Sequence, residues 1–215
     1  MKLERLVAKR NKVHLIFDNG EGIYLRYDTV LKFGLKKNDE ITDTLLAGLQ
    51  NEDYRLQIKE LSFKLLSRRM HSAAELKRKL LLKKLPSERI DETIADLLER
   101  KYLDDFKFAE KYAEEMLKNN KKGLIKIKSE LLGKGVDKKT ADAVMVKYEN
   151  SETLIDNALL IARRKISSSV YTNLTAVKKK EKLFRFLISK GYSQDVIRIT
   201  IDKLHLNNQD PLSFD

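Results

Sequence analysis

The sequence predicts a mainly α-helical protein: a tandem array of three three-helix units that forms an elongated, curved solenoid, preceded by a small N-terminal module containing a β-hairpin. Two observations predict this fold class. Apolar residues alternate over the first 26 residues and recur at helical spacing from about residue 53. Residues 72–135 also repeat at a shift of 51 residues, and a further shift of 56 reaches a third copy. The matching positions are Leu76, Leu80, Leu81, Lys83 and Leu85, then Ile127, Leu131, Leu132, Lys134 and Val136, then Leu183, Leu187, Ile188, Lys190 and Tyr192.

The N-terminal module is expected to span residues 1–52. Apolar residues at 13, 15 and 17 alternate with their neighbours, and the turn-forming pair Asn19-Gly20 follows, which predicts a hairpin. Residues 3–8 are expected to add a third strand. We expect Asp28 to cap a short helix that stops at Gly34, and Thr42 or Asp43 to begin another. The module has no recognisable chemistry: it either contacts a partner or covers the apolar end of the array.

Unit one is expected at residues 53–103. Its first helix carries an apolar stripe and ends near Arg69, and Ser72 with Glu75 forms a capping box for the second helix. The second helix is expected to run to about Lys84 and to bury Leu76, Leu80 and Leu81. The third follows Pro86 and is expected to turn four residues inward: Ile90, Ile94, Leu97 and Leu98.

Unit two is expected at residues 104–150. The adjacent Asp104 and Asp105 are predicted to be helix caps rather than an acid/base pair, because neighbouring side chains on a helix diverge. The second helix ends at Gly135, and Asp137 caps the third. The first helix is expected to bury Phe106, Phe108, Ala109, Tyr112 and Met116, and the third to bury Ala141, Val144, Met145 and Tyr148.

Unit three is expected at residues 151–206, with a loop at 166–173 and a flexible tail at 207–215. The loop accounts for the longer second shift. Its second helix ends at Gly191, and Ser193 caps the last helix. Apolar residues mark the three helices: Leu154, Ala158, Ile161 and Ala162 in the first, Val177, Leu183, Leu187 and Ile188 in the second, and Val196, Ile197, Ile201 and Leu204 in the third.

Composition favours a polyanionic partner. The formal net charge is +12, and the positive charge is concentrated in one part of each repeat. Residues 64–84 contain eight basic and one acidic side chain, residues 118–139 eight and two, and residues 163–190 nine and one. A solvated lysine-rich helix face is the alternative interpretation, and recurrence at the repeat period argues against it.

Several functional classes lack support in the sequence. There is no cysteine, no apolar run long enough for a membrane span and no signal-peptide core, so we expect a cytoplasmic protein without membrane contact. We also expect a monomer. His14, His71 and His205 are scattered and are expected at the surface or at an edge, without metal-ligand spacing. No phosphate-binding loop or nucleophile motif occurs, so we expect neither a cofactor nor an enzyme.

Three motifs resemble the RecX family of bacterial regulators of the RecA recombinase. The first is R-x-x-S-x-x-E-L-x-x-K-L from Arg69 to Leu80, and the second is L-D-D-x-x-F-A from Leu103 to Ala109. The third is G-x-x-K-I-x-x-E-L-x-x-K-G-V from Gly123 to Val136. The motifs cover about residues 54–150. Leu85 and Pro86 stand where the family usually has a glycine-containing turn, and the N-terminal strands lie outside the motifs.

The resemblance implies a non-enzymatic modulator. Family members bind RecA assembled on single-stranded DNA, lie along the filament groove and restrain strand exchange, ATP hydrolysis and coprotease activity in recombination and the SOS response. The alternative is an autonomous protein that binds single- or double-stranded DNA weakly and nonspecifically through the second helices. Groove reading by the third helices is disfavoured, because residues 87–96 carry four acids and one base.

The charge pattern predicts which residues contact a partner or nucleic acid. They lie at the end of the first helix and along the second helix of each unit: Arg68, Arg69, Lys77, Arg78, Lys79, Lys83, Lys121, Lys122, Lys126, Lys128, Lys134, Lys178, Lys179 and Lys182. A cation in the last turn of a helix is also stabilised by the helix dipole, by about 0.3–1 kcal/mol, so position alone does not separate the two roles.

Overall fold

The structure is a computed structural model that describes residues 1–120, 122–172 and 174–206. Lys121 and the tail at 207–215 therefore lie outside the described residues. The chain divides into two compact units. They are called the first unit and the second unit and differ from the three repeats, which keep the names unit one, unit two and unit three. The first contains Met1–His71 and Glu75–Leu103, and the second contains Ser72–Ala74 and the chain from Asp104 onward.

The first unit begins with a three-stranded antiparallel sheet in the order β1-β2-β3. The strands are β1 (Leu3–Lys9), β2 (Lys12–Phe17) and β3 (Gly22–Arg26). Both the hairpin and the third strand agree with the sequence prediction. One face of the sheet is buried because alternate side chains point to the same side. Its core residues are Leu3, Val13, Leu15, Phe17 and Leu25, joined by Val30, Ile41 and Leu49.

The short helix α1 (Tyr27–Phe33) follows the sheet directly. The prediction that Asp28 caps it is wrong, because the cap position is Arg26 and Asp28 lies inside the first turn. Asp53 does the capping from another helix: its carboxylate accepts from the Arg26 amide at 2.5 Å and from the Thr29 hydroxyl at 3.2 Å. Gly34 ends α1 in the left-handed conformation, with φ of 62°, as expected.

A single long helix, α2 (Asp43–Leu66), replaces the two helices that the sequence suggests on either side of residue 52. Thr42 caps it by accepting from the Leu45 amide at 3.2 Å. The predicted module boundary therefore falls inside a continuous helix. Glu52 links α2 to α1, because its carboxylate lies 2.9 Å from the Lys32 ammonium. Hydrogen bonds from Arg55 and Lys32 lower the pKa of Glu52 to about 2.

Two further helices complete the first repeat, α3 (Ala73–Leu81) and α4 (Ser87–Glu99). Leu76, Leu80, Ile90 and Leu97 are fully buried. Leu98 was expected inside but is 38% exposed, because it lies one residue beyond the inward position of Leu97.

The described residues of the second unit form six long helices. They are α5 (Asp105–Asn120), α6 (Leu124–Gly133), α7 (Lys138–Val146), α8 (Glu152–Ile166), α10 (Ala176–Ser189) and α11 (Gln194–Lys203), with a short turn of helix, α9 (Ser169–Thr172), between α8 and α10. Helix α9 corrects residues 169–172 of the predicted loop at 166–173, and Asn173 lies outside the described residues. It forms because burying Tyr171, which is 2% exposed, holds this segment against the unit.

The helices of the second unit share one core. It includes Phe108, Ala109, Ala113, Leu117, Ile127, Leu131, Val144, Met145, Leu154, Ala158, Leu183, Leu187, Tyr192, Ile197 and Ile201. Three residues expected in the core are exposed instead: Phe106 by 37%, Val177 by 76% and Ile188 by 43%. Phe106 packs against the Lys147 ammonium, with 4.7 Å from Nζ to the ring centroid.

Helix caps recur at equivalent repeat positions. The third helices α4, α7 and α11 begin at Ser87, Lys138 and Gln194, which the repeat shifts superimpose. Asp137 and Ser193 cap α7 and α11 as predicted, accepting from the Thr140 amide at 2.9 Å and the Val196 amide at 3.4 Å. Three equivalent residues after the second helices have positive φ: Lys84 at 57°, Gly135 at 83° and Gly191 at 85°. In unit one, Lys84 therefore takes the left-handed position that glycine occupies in the other two.

Candidate partner-binding surface

The three second helices present the same arrangement of apolar residues. Two repeat positions are fully buried: Leu76, Ile127 and Leu183 at one, and Leu80, Leu131 and Leu187 at the other. The next position in sequence is Leu81, Leu132 and Ile188, and these residues are 40%, 40% and 43% exposed. The prediction that Leu81 is buried is therefore wrong. One residue beyond a buried position lies 100° around the helix, which turns this side chain to the rim of the core.

A basic groove lies in the first unit between the end of α2 and the end of α3. It has a volume of about 410 Å³. Four cationic side chains line it together with four leucines, and none of the described lining residues is acidic: Leu61, Lys64, Leu65, Arg68, Lys79, Leu80, Leu82 and Lys83. Leu82 is 81% exposed. The groove thus offers both positive charge and accessible apolar surface.

Three predicted contact residues, Arg68, Lys79 and Lys83, meet in this groove. Lys64 and Leu82 were not nominated from the sequence. The sequence could have predicted Lys64, because this residue precedes Arg68 by four residues and therefore lies on the same helix face. Leu82 had no such signal, since repeat position 82 is Gly133 in unit two and Ser189 in unit three.

Lys79 also supports a buried histidine. His71 is 3% exposed, which corrects the prediction of a surface residue. Its Nε2 lies 2.8 Å from the Lys79 Nζ, and its Nδ1 lies 3.0 Å from the Arg69 carbonyl oxygen. An ammonium group only donates, so Nε2 accepts and Nδ1 carries the proton that is donated to Arg69. Burial lowers the pKa of His71, and the nearby Arg69 and Lys79 charges act in the same direction.

Other nominated cations are engaged within the protein. Lys77 pairs with Asp91 at 2.5 Å, and Lys128 pairs with Asp142 at the equivalent repeat position. Arg69 binds the Glu75 carboxylate at 2.9 Å. These ion pairs link the second helix to the third helix or to the preceding turn within one repeat, so part of the predicted contact surface stabilises the individual repeats.

In unit two, the Glu130 carboxylate accepts hydrogen bonds from two side chains. Lys122 lies 2.7 Å from one carboxylate oxygen, and the Tyr112 hydroxyl donates to the other at 2.8 Å. Partial burial acts to raise the pKa of Glu130, but the hydrogen bonds from Lys122 and Tyr112 prevail and lower it. The Lys134 Nζ lies 5.0 Å from the Tyr112 ring centroid, so this lysine leans over the same cluster.

The remaining predicted contact residues differ in exposure. Lys126, Lys178 and Lys182 are exposed on α6 and α10, Lys179 is half-buried and Arg78 is exposed on α3. Lys178 and Lys182 share a helix face, because they are four residues apart. The Lys178 amide also donates to the capping Thr175 hydroxyl at 3.4 Å.

Helix α6 begins directly against the end of α10. The Gly123 amide donates to the Lys190 carbonyl at 2.9 Å, and the Ile125 amide donates to the Gly191 carbonyl at 3.1 Å. Free amides at one helix start thus satisfy free carbonyls at another helix end. The approach requires a glycine at 123, since a Cβ there would lie 2.1 Å from the Gly191 oxygen. The repeat-equivalent contact joins the Ser72 hydroxyl to the Lys134 carbonyl at 2.6 Å.

Asp104 and Asp105 act on different helix starts. Asp104 accepts from the amides of Phe106 at 3.1 Å and Lys107 at 3.0 Å and so caps α5. Asp105 accepts from the Ala73 amide at 2.8 Å. Burial raises the pKa of Asp105, and the neighbouring Asp137 and Asp104 charges add to the effect. Asp104 therefore has the predicted capping role, whereas Asp105 lies inside α5 and binds the start of α3 instead of capping its own helix.

The described residues contain no group of three or more His, Asp or Glu side chains placed to hold a metal ion. Within the same part of the chain, no helix has the length and apolarity needed to cross a bilayer. Of three open grooves among the described residues, the basic groove of the first unit has the most positive lining.

All three repeats match domains of one known protein family. Residues 59–97 match the first three-helix domain of RecX, residues 104–145 match the second and residues 152–201 match the third. The chain belongs to the RecX family. This membership confirms the resemblance carried by the three sequence motifs, and the three tandem domains confirm the predicted mainly helical fold of three three-helix units.

Individual RecX proteins align over nearly the whole chain. The regulatory protein RecX of Clostridium botulinum (strain Alaska E43 / Type E3) is 32% identical over 201 residues, which cover 92% of each chain. That of Leuconostoc mesenteroides subsp. mesenteroides is 27% identical over 207 residues, covering 96% of this chain and 76% of the relative.

Two solved RecX structures share the fold. A crystal structure of regulatory protein RecX superimposes with a TM-score of 0.74 at 20% identity, covering 94% of this chain and 98% of that one. RecX from Lactobacillus salivarius gives a TM-score of 0.66 at 24% identity, covering 72% and 99%. In this chain the first matched RecX domain starts inside α2, so the sheet and α1 precede all three family domains.

Proposed function

We propose that this RecX-family chain is a non-enzymatic regulator of the RecA recombinase. It binds RecA filaments assembled on single-stranded DNA and restrains strand exchange, ATP hydrolysis and coprotease activity. The observation that carries the proposal is the recurrence of one surface in all three units: an exposed apolar residue at position 81, 132 or 188, followed two residues later by a lysine. A surface that repeats along one chain suits a partner whose own subunits repeat.

The chemistry of this surface suits an acidic protein partner that also offers apolar contacts. The basic groove of the first unit combines Arg68 and Lys83 with the accessible Leu82. Positive charge accelerates encounter with an acidic surface, and buried apolar contacts then hold the complex. We assign the main contacts to cations that form no ion pair within the part of the chain that the structure describes, namely Lys64, Arg68, Lys83, Lys126, Lys178 and Lys182.

The remaining nominated residues have a secondary part in this proposal. Lys77, Lys122 and Lys128 are held by Asp91, Glu130 and Asp142, so a partner would have to compete with an existing ion pair. Lys121 stays a proposed contact residue by its sequence position, as do Arg69, Arg78, Lys79, Lys134 and Lys179 by theirs.

The test is RecA-catalysed ATP hydrolysis on single-stranded DNA with the purified protein added, together with sedimentation of the filaments. We expect a lower hydrolysis rate and recovery of the protein with the filament pellet. An unchanged rate without co-sedimentation would overturn the proposal. Omitting RecA while keeping the DNA is the control for direct sedimentation with nucleic acid.

The second candidate is weak, nonspecific DNA binding through the basic second helices. The exposed lysines at 126, 178 and 182 favour it. Binding by phosphate neutralisation predicts an affinity that falls with salt, with a log–log slope of about −0.7 for each phosphate neutralised on a single strand. A salt-independent affinity would remove this candidate.

A further inference from the structure

The outer face of the N-terminal sheet has exposed residues on all three strands. Cross-strand partners share a face, so the register places Val7, His14 and Tyr24 in one row across the three strands. The rows beside it contain Lys9 with Lys12 and Arg5 with Ile16. Val7 is 46% exposed and Tyr24 is 48% exposed.

An aromatic pair stands at the centre of this face. The rings of His14 and Tyr24 stack with centroids 4.2 Å apart and planes 7° from parallel. Gly22 makes room for the pair, since a Cβ at this residue would lie 2.5 Å from the His14 Nε2. His14 covers one face of the phenol ring, and Tyr24 as a whole stays 48% exposed. The tyrosine ring is therefore held in place and open to a second planar group.

Positive charge surrounds the pair. Arg5, Lys9 and Lys12 are exposed, and the Lys9 Nζ lies 5.6 Å from the Tyr24 ring centroid. Arg26 also belongs to this face by register but is paired with Glu60. Among the described residues that the strand register places on this face as cross-strand partners, none is acidic. The face therefore combines an oriented aromatic ring with cations on both sides of its row.

We propose that this outer sheet face binds single-stranded nucleic acid. A base stacks on the open face of Tyr24, and the flanking phosphates pair with Arg5, Lys9 and Lys12. Stacking on an aromatic ring within a basic surface is how strands are bound without sequence preference. A duplex fits the face poorly because its bases are already stacked on each other. The site lies outside the three RecX domains, and the proposed regulation of RecA does not require it.

The chain contains no tryptophan, which permits a direct test. A Tyr24→Trp variant has a single tryptophan on the platform, and a Tyr27→Trp variant has one on α1, where Tyr27 is 51% exposed. We expect oligothymidylate of about 16 nucleotides, the upper end of typical site sizes, to quench the Tyr24→Trp fluorescence and to leave Tyr27→Trp unchanged. Oligouridylate should act similarly, and a duplex should quench little.

Anisotropy of a labelled oligonucleotide provides the second measurement, on the full-length chain. Tyr24→Ala is expected to weaken binding about fivefold or more through lost stacking. Lys9→Glu with Lys12→Glu should weaken binding and flatten its salt dependence, whereas Lys36→Glu with Lys37→Glu makes the same charge change elsewhere in the module. Oligonucleotide binding without quenching of Tyr24→Trp, or equal losses in the two charge-reversal pairs, would overturn the proposal. No RecA is present, so the result is independent of the proposed regulatory function.

Discussion

Lys77 and Asp91 form an ion pair at 2.5 Å between the second and third helices of unit one, and Lys128 and Asp142 form its counterpart in unit two. The pair recurs because both residues keep their positions in the repeat. Unit three has Phe184 and Arg198 at these positions and so lacks this pair. A charge pattern that suggests partner binding therefore includes cations with a structural role.

Reversing one member of this pair tests that role. Lys77→Glu should lower the free energy of unfolding by about 1 kcal/mol or less, because both side chains are partly exposed. Adding Asp91→Lys should recover most of the loss. Urea denaturation of the wild type, both single variants and the double variant measures the coupling. Additive effects of the two changes would contradict a direct interaction.

Reversal of the groove cations should affect binding more than stability. Arg68→Glu with Lys83→Glu places two carboxylates in the basic groove, and we expect at least a tenfold loss of affinity for RecA filaments. Lys107→Glu with Lys111→Glu makes the same charge change on exposed residues of α5 outside the basic windows. Co-sedimentation at increasing protein concentration gives both affinities. Similar losses in the two variants would assign the effect to net charge alone.

The exposed apolar position should matter for binding and little for folding. Alanine at Leu81, Leu132 and Ile188 removes surface that is already 40–43% exposed, so we expect about 1 kcal/mol or less per site in stability. Leu80→Ala removes a fully buried side chain and should cost about 2–5 kcal/mol. The triple variant should lose inhibition of RecA ATP hydrolysis, while its thermal midpoint should fall by no more than about 6–12 °C, at about 2–4 °C per kcal/mol. Val146→Ala, at a residue 63% exposed elsewhere, serves as the control.

Asp105 offers a substitution that separates its charge from its hydrogen bond. Asp105→Asn can keep an oxygen for the Ala73 amide while removing a carboxylate whose pKa burial raises, so it should be neutral or slightly stabilising at pH 7. Asp105→Ala leaves that amide without its acceptor and should cost about 1 kcal/mol. Chemical denaturation of the two variants compares them. Equal destabilisation would show that the charge itself is required.

His71 should make stability depend on pH. Its pKa is lowered in the folded protein, so the unfolded chain binds more protons once the pH falls below about 6.5. Stability is therefore expected to fall as the pH is lowered from about 7.5 to about 5.5. His71→Gln removes this contribution and should show a smaller difference between the two pH values in urea denaturation. An equal difference in both proteins would place the dependence on other groups.

Local signals were sufficient for most of the fold. The N-caps Thr42, Asp104, Asp137 and Ser193, and the left-handed glycines at 34, 135 and 191, depend on neighbours within a few residues, and all are confirmed. The repeat located the second and third helices of every unit. Family motifs within the same stretch indicated RecX, which the domain matches confirm.

Long-range packing decided what the local pattern left open. Asp53 reaches α1 from another helix, and Tyr171 is buried in a segment that reads as a loop. Leu81, Leu98, Phe106 and Ile188 are apolar at helical spacing, yet they lie at the rim of the core because burial depends on which neighbouring elements cover a helix face.

The sequence by itself determined the repeat, the second-helix lysines and the family, because these are properties of residue order. Only the tertiary structure decided which lysines are held by Asp91, Glu130 and Asp142 and which line the groove with Leu82, since an ion pair requires two side chains from different elements to meet. The same holds for the His14–Tyr24 stack, which a cross-strand register brings together from residues ten apart in the chain.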